Sequence, residues 1–487
     1  LSGLAAVRAG TEAAARAASA IMAHANLQAP LRMKVAVIGA GLGGLAAAWM
    51  LGRQHAVTLF ERQPRPGFTA ANVAVPGRGA AGNAVRVDVP LRVFYPGYYP
   101  TLTRLYQALG VPSEPVSYAS SFHGPLVPGR SPQALYFRYR NLQWGGQSHS
   151  LLAPQDLLAA PARRLLAGLL RFHRQALPAL QRGDLAGLAI GDWVAAQGYP
   201  REFIQGFLLP AISTVCTCSF AQAAQFPAAV VVDYLARGVL RQSVHRALHG
   251  ADDVQRRLLL GIADLRCGAP IAAVQRLPGA AQVQVRLDDG HTERFDHLVL
   301  ATPARQALRL LADASADETA ALAGFPTAPV QVLTHTDPSL MPARRRDWSP
   351  VNLWVDPAAD AVESTIWVNA VQPVLRGAAD VFQTVSPLRP VDPARVLGEA
   401  RFDRAVVNAA SQQALVQLQA LQAEPGRRVW FCGSHAQAGI PLLESAVRSA
   451  SEVAARLGAP LPGLALPDQP PGQVLAEPAG RVADSRA

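Results

Sequence analysis

Met33-Lys34-Val35-Ala36-Val37-Ile38-Gly39-Ala40-Gly41-Leu42-Gly43-Gly44 is a short apolar run that turns directly into a glycine loop. A helical stretch follows, with Leu45, Ala48 and Leu51 able to face a sheet; a second apolar run, Val57-Thr58-Leu59-Phe60, then ends at Glu61. Strand, glycine loop, helix, strand and acid in this order form the unit that binds a dinucleotide. Gly39 makes the tight turn, Gly41 lets backbone approach a pyrophosphate, and Gly44 admits close helix packing. Ala40, Leu42 and Gly43 complete the loop, and the helix that it opens offers free N–H groups and a positive dipole end to phosphate. Glu61 stands near the ~20-residue spacing at which an acid reaches ribose hydroxyls. Arg62 beside it is either a phosphate partner or a surface cation. This loop alone would serve NAD as well as FAD.

Two later stretches carry matching patterns. From Ile271 the alternation of Val274, Val283, Val285 and Leu287 around the turn Asp288-Asp289-Gly290 predicts a hairpin. The run Phe295 to Thr302, through Ala301, predicts a buried strand that returns to the sheet. Near the other end, Val429-Trp430-Phe431-Cys432-Gly433-Ser434-His435 leads through Gly439-Ile440-Pro441-Leu442-Leu443 into a helix with Ala446, Val447, Ala450 and Ala454 on its buried face. Periodicity alone leaves a plain β-meander and a plain surface helix open for these two.

With these parts in place the chain resembles the flavin-containing amine oxidase superfamily, from about Met33 to Gly458. Within it, the chain is similar to a group of predicted NAD/FAD-binding proteins often encoded beside, or fused to, cyclopropane-fatty-acid synthases. Phrases outside the glycine loop carry this likeness: Val87-Asp88, Tyr99-Pro100-Thr101-Leu102, His335 to Pro342, Trp367-Val368-Asn369 with Gln372, and Val391-Asp392-Pro393. The resemblance implies an α/β fold: a FAD/NAD(P)-binding Rossmann-like domain of glutathione reductase and amine oxidase type, with an inserted α+β substrate domain. It implies FAD as cofactor, with backbone near Val274 at the adenine end. It also implies that Gly433 and Ser434 meet the pyrophosphate and ribityl chain, and that the helix entry at Leu442-Leu443 points at the flavin. Several family features are altered: the glycine pair after the ribose acid is Gly67-Phe68, and of the tryptophan and paired glycines before the second segment only Gly250 remains. The lysine that many amine oxidases place near flavin N5 has no counterpart, because Lys34 is the only lysine in the chain.

The expected FAD domain is discontinuous, over 33–98, 255–325 and 425–458. A mostly helical insertion (99–254), with amphipathic runs near Leu165 to Leu180 and Ile204 to Leu209, and a strand-rich insertion (326–424) form the substrate domain. Residues 1–32, rich in Ala and Arg, read as an extension outside the fold, either an upstream continuation of the reading frame or, less favoured, an organellar targeting segment. Residues 459–487, rich in Pro and Gly, read as a disordered tail.

Half of the 487 residues are apolar, enough for a large core, but no apolar stretch approaches the ~18 residues of a membrane span. The charge of +11 comes almost wholly from scattered arginines, with no aromatic-interleaved stripe of the kind that tracks nucleic acid. Denser patches at Arg344-Arg345-Arg346 and across Arg237 to Arg257 would suit peripheral contact with an anionic lipid surface. Cys216, Cys218, Cys267 and Cys432 lack zinc spacing and read as free thiols in a reducing, cytoplasmic setting, with no metal site.

The chemistry expected is oxidoreduction: hydride transfer from an activated C–H bond of a lipid-like or other apolar substrate to flavin N5. Amine oxidation is one alternative. A flavin-binding partner of a lipid-modifying methyltransferase, without turnover of its own, is another. Phe94, Tyr95, Tyr98, Tyr99, Trp354 and Trp367 are the expected aromatic walls. His335, Asp337 and Asn369 are the candidate catalytic polar groups, with turn formation at Asp337-Pro338 as the competing role. His435 is a candidate for cofactor contact, and Cys432 for either covalent attachment or simple burial.

Overall fold

The computed structural model describes residues 32–76, 84–125, 134–144, 147–152, 158–236 and 243–463. The extension 1–31 and the tail from 464 lie outside the described residues.

Five parallel strands form one sheet, in the order Asp264–Cys267, Ala56–Glu61, Lys34–Ile38, His297–Leu300 and Val429–Phe431. Apolar residues alternate to both of its faces, as a parallel sheet covered on both sides requires. Val35, Val37, Leu59 and Val299 face the helices Leu42–Gly52 and Leu443–Arg456, which pack on each other. Ala36, Ile38, Phe60, Leu298 and Leu300 face a second core. That core is closed by the meander Ile271–Arg276, Val283–Leu287 and Thr292–Phe295, and by the helices Ala304–Leu310, Ala316–Ala323 and Ala409–Gln422. The helix Gly250–Leu259 packs on the glycine-loop helix, where Gly261 sits so close to Trp49 that a Cβ would stand 2.6 Å from its ring.

A seven-stranded sheet forms the other half, in the order Val396–Ala405, Thr327–His335, Phe382–Val385, Ala361–Trp367, Val351–Asp356, Ser120–His123 and Leu135–Arg138. Its last two strands belong to the stretch read from sequence as mostly helical. The two insertions therefore share one sheet, joined by the parallel pairing of Val351–Asp356 with Ser120–His123. Period-2 alternation did not mark these short strands, because their neighbours in the sheet come from far along the chain.

The amphipathic run near Leu165 is the helix Ala160–Arg182, which buries Leu165, Gly168, Phe172, Ala176 and Ala179 and stops at Gly183 in the left-handed conformation. The run at Ile204 is a π-helical turn, Ile204–Leu208, that leads into the helix Leu209–Cys216. The ordered chain also continues beyond Gly458, where a tail was expected to begin. Gly458 at φ +79° turns the backbone so that Ala459 donates to the Ala454 carbonyl, and Ala459 and Leu461 are buried in the core.

Candidate functional site

The glycine loop is held by contacts that leave little room for any other residue. Gly39 adopts φ +105° and donates to the Phe60 carbonyl, and a Cβ there would stand 2.7 Å from the Ala301 carbonyl oxygen. At Gly44 a Cβ would fall 1.8 Å from the Gly39 oxygen, so this glycine lets the helix fold back on its own turn. Gly43 lies against Cys432 and Gly433. Gly41 is the exception, with open space where its side chain would be, as a backbone that must meet a ligand requires. Leu42 starts the helix beside that opening.

Glu61 is buried at the edge of the loop, where its carboxylate accepts from the Ala40 N–H (2.9 Å) and the Gln63 N–H (2.9 Å). A carboxylate has about four lone-pair sites, so capacity for a ribose hydroxyl remains. Gly67 packs on the same carboxylate, and Arg62 is exposed. Val274 sits in the meander of the second core, and its carbonyl accepts from Ala312. The strand paired beside Glu61 is Asp264–Cys267, in which Cys267 pairs with Glu61. Val274 opens a clear alternating pattern in the sequence, whereas Asp-Leu-Arg-Cys gives no apolar signal.

Ala301 closes the loop from below, with its N–H on the Ile38 carbonyl. Gly433, at φ +148°, donates to the Ser449 hydroxyl and brings Ser434 to the same opening. Leu442 precedes the helix Leu443–Arg456, whose first turn presents Leu443 and Ala446 to it. Glu444 in that turn is buried and accepts from the Thr101 and Leu102 N–H groups (3.0 and 2.8 Å), which caps the neighbouring helix Pro100–Ala108.

These elements open into a cavity of about 470 Å³. One wall is a single face of the seven-stranded sheet: Arg404 and Phe402, Val330 and Val332, Val385 and Gln383, Ser364 and Ile366, Val351 and Leu353, Ser120 and Phe122. The opposite wall is made of Tyr95, Tyr99 and Tyr234 with Phe207, Ile212 and Val215. Phe207 belongs to the π-helical turn, a conformation frequent at functional sites. Burial raises the Tyr95, Tyr99 and Tyr234 phenols well above their ordinary range, so they stay protonated.

Of the expected aromatic walls, Tyr95 and Tyr99 line the cavity. Phe94 packs edge-on against Tyr106, and Tyr98 packs edge-on against Tyr234 while its hydroxyl accepts from the Ile440 N–H (3.4 Å). Trp354 and Trp367 miss it by one residue, because Leu353 and Ile366 take the cavity face and strand alternation turns their neighbours away. Trp354 stacks under Arg389, and Trp367 donates to Asp380.

The candidate polar residues are spent on structure. His335 lies opposite in parity to Val330 and Val332, fully buried, between the Thr384 hydroxyl (2.8 Å) and the Asp337 N–H. Asp337 caps the turn at Ser339 and accepts from the Asp392 N–H. Asn369 ties together Leu375, Ala379 and Val381. None of the three lines the cavity. His435 packs on Phe325 and beside Gly433, and burial holds its pKa near 4. Cys432 is fully buried, its thiol pushed up to about 12, and all four cysteines are free. Lys34 is exposed at the start of its strand, and the face of Thr327–His335 that looks into the cavity carries valines.

Sequence reasoning passed over Tyr118, Tyr139, Tyr234, Phe207, Arg92 and Arg404, all lining residues. Arg92 lies over the Phe68 ring and donates to the Val89, Pro90 and Phe68 carbonyls. The only signal in the sequence for Arg404 is alternation along Val396–Ala405, which cannot say which face is inside.

Residues 37–109 match the family described as NAD(P)-binding Rossmann-like domain. No curated protein matches the sequence. Among solved structures, cyclohexylamine oxidase from Brevibacterium oxydans is 16% identical at a TM-score of 0.60, over 88% of this chain and 98% of that one. A fatty acid isomerase from P. acnes, described as producing CLA, is 15% identical at 0.59, over 87% and 98%. Putrescine oxidase bound to putrescine is 16% identical at 0.58, over 88% and 99%. The fold is thus a Rossmann-like dinucleotide domain joined to a mixed α/β partner, similar to that of flavin amine oxidases.

Proposed function

We propose that this chain is a FAD-dependent oxidoreductase that takes hydride from an activated C–H bond of an apolar, lipid-like substrate. One observation carries the reading: the glycine loop and the first turn of Leu443–Arg456 open into the same cavity as an apolar sheet face and a tyrosine wall. The cradle suits a flavin dinucleotide, since Gly41 leaves its backbone open and Glu61 is fixed beside the loop. Gly39 to Gly44, Glu61, Ser434 and Leu442-Leu443 would hold the cofactor. Bound there, FAD would supply an acceptor for hydride from a C–H weakened by an adjacent double bond, carbonyl or heteroatom.

The protein's part is to position that carbon and exclude water. Val330, Val332, Phe402, Leu353 and Ile366 offer an apolar surface, and the buried tyrosines stay neutral and donate no charge. Amine oxidation is the second reading, favoured by the likeness to cyclohexylamine oxidase and putrescine oxidase.

Anaerobic titration of the flavin-loaded protein separates the readings. Bleaching by membrane lipid extract is expected. Bleaching by polyamines and not by lipid would replace the proposal with amine oxidation. No bleaching by either would favour a flavin-binding partner for a lipid-modifying methyltransferase.

A further inference from the structure

Arg404 is a cation at the cavity wall with no anion to meet. Among the described residues, other buried or half-buried arginines outside the cavity are partnered, some by a carboxylate (Arg246 by Glu114, Arg427 by Glu318, Arg138 by Asp347, Arg389 by Glu363) and some by neutral acceptors (Arg104 by the Pro462 carbonyl, Arg171 by the Gln197 carbonyl, Arg448 by Gln437). Arg92, the second cavity cation, is held by three carbonyls. Arg404 has neither ion pair nor hydrogen bond among the described residues. Its neighbour Asp403 is also at the cavity, but it is exposed, lies on the alternate side of the strand and makes no ion pair with Arg404. The titratable groups Tyr99, Cys216 and Cys218 act on it electrostatically, and burial keeps all three protonated. Guanidinium does not deprotonate in proteins, and an uncompensated buried charge is costly. Arg92 adds positive potential, since the two cations are close enough to repel.

We propose that Arg404 receives the carboxylate of the substrate, so that the site takes an amphiphilic acid, such as a long-chain unsaturated fatty acid, with its apolar body along the sheet face. The planar fork of arginine suits a carboxylate bidentately. Val330, Val332 and Phe402 continue the wall from Arg404 without another charge. This rests on the apolar-substrate reading above and adds the head group to it.

The test is equilibrium binding of oleate, oleyl alcohol and oleylamine to the full chain, followed by calorimetry and, in flavin-loaded protein, by perturbation of the flavin spectrum. Wild-type protein is expected to bind oleate about 10- to 100-fold more tightly than the alcohol, the range that a charge-assisted hydrogen-bond pair supplies. Arg404→Gln should abolish that preference, retain flavin and leave alcohol binding unchanged, with Arg404→Lys intermediate. Equal binding of acid and alcohol by the wild type, preference for the amine, no binding of any of the three, or preference retained in Arg404→Gln would each overturn the proposal. Loss of flavin from folded Arg404→Gln would overturn it too, by making the arginine a cofactor ligand. If that variant does not fold, the wild-type series decides alone. Calorimetry on flavin-free protein keeps this outcome separate from failure of the flavin reading.

Discussion

In the five-stranded sheet both faces are buried against apolar side chains, and the ligand-facing groups are backbone at the strand ends, in the loops Gly39–Gly44 and Gly433–Ser434. In the seven-stranded sheet one face looks into the cavity with mostly apolar residues, together with Ser120, Ser364, Gln383 and Arg404. The other face carries a hydrogen-bonded network: Ser121 to Asn352, Thr365 to Thr384 to His335, and Glu363 to Arg389. On the proposed function, the first region would recognise its ligand through backbone geometry that few residues permit, and the second through side chains that many sequences could supply. This difference suits a cofactor shared among many proteins and a substrate particular to one.

The largest effect that would break the comparison is in the first region. Gly44→Ala places a methyl 1.8 Å from the Gly39 oxygen, and is expected to cost about 3 kcal/mol or more and to yield protein without flavin. Urea unfolding with a flavin assay checks this. A stable, flavin-loaded variant would mean that the loop is looser than described.

Next comes the joint between cofactor helix and insertion. Glu444→Gln leaves one of the Thr101 and Leu102 N–H groups without its carboxylate partner, a loss of about 1–3 kcal/mol in urea midpoint measurements.

The two regions can also be told apart by pH. His435 in the first, with a pKa lowered to about 4, and His123 in the second, lowered to about 3, are buried neutral; Nε2 of His435 and both ring nitrogens of His123 are unpartnered among the described residues. Their folded pKa values lie below the unfolded value near 6.5, so the unfolded chain binds more protons below that pH. Stability is therefore full above about pH 6.5 and falls as pH drops towards 4, by about 1 kcal/mol for each histidine at pH 5.5. His435→Phe and His123→Phe should each flatten the profile by that share, and an unchanged profile would contradict the buried neutral state.

The smallest effect on stability is the sharpest for function. Gly41→Ala meets open space, so folding should change by under about 0.5 kcal/mol while flavin retention falls. Unaltered flavin content would remove Gly41 from the cradle.

The same contrast decides what the sequence made legible. Gly39, Gly41 and Gly44 could be read with their roles because the loop's spacing assigns them: Gly39 takes a left-handed φ, Gly44 meets the Gly39 oxygen, and Gly41 faces open space. The helix Leu443–Arg456 was readable from Pro441 and its apolar stripe. The sheet shared by two insertions was not, since strand partners such as Val351 and Ser120 lie far apart in the chain. Nor was the inner face. Trp354 and Trp367 were credible wall residues until the register gave their places to Leu353 and Ile366. His335 and Asp337 looked like a polar pair because they stand two apart, but tertiary packing turned that spacing into a turn and a strand tie. Arg404 left no mark among so many arginines, because its distinction is a side chain at the cavity with no ion pair or hydrogen bond among the described residues.

On the proposed function the Gly39–Gly44 cradle and the cavity beside it hold FAD. The most direct measurement is the visible absorption spectrum of the purified full chain, before and after incubation with FAD. The account predicts oxidised-flavin bands, present at purification or restored by reconstitution, with FAD released on denaturation. A folded protein that is colourless and takes up no FAD would contradict it.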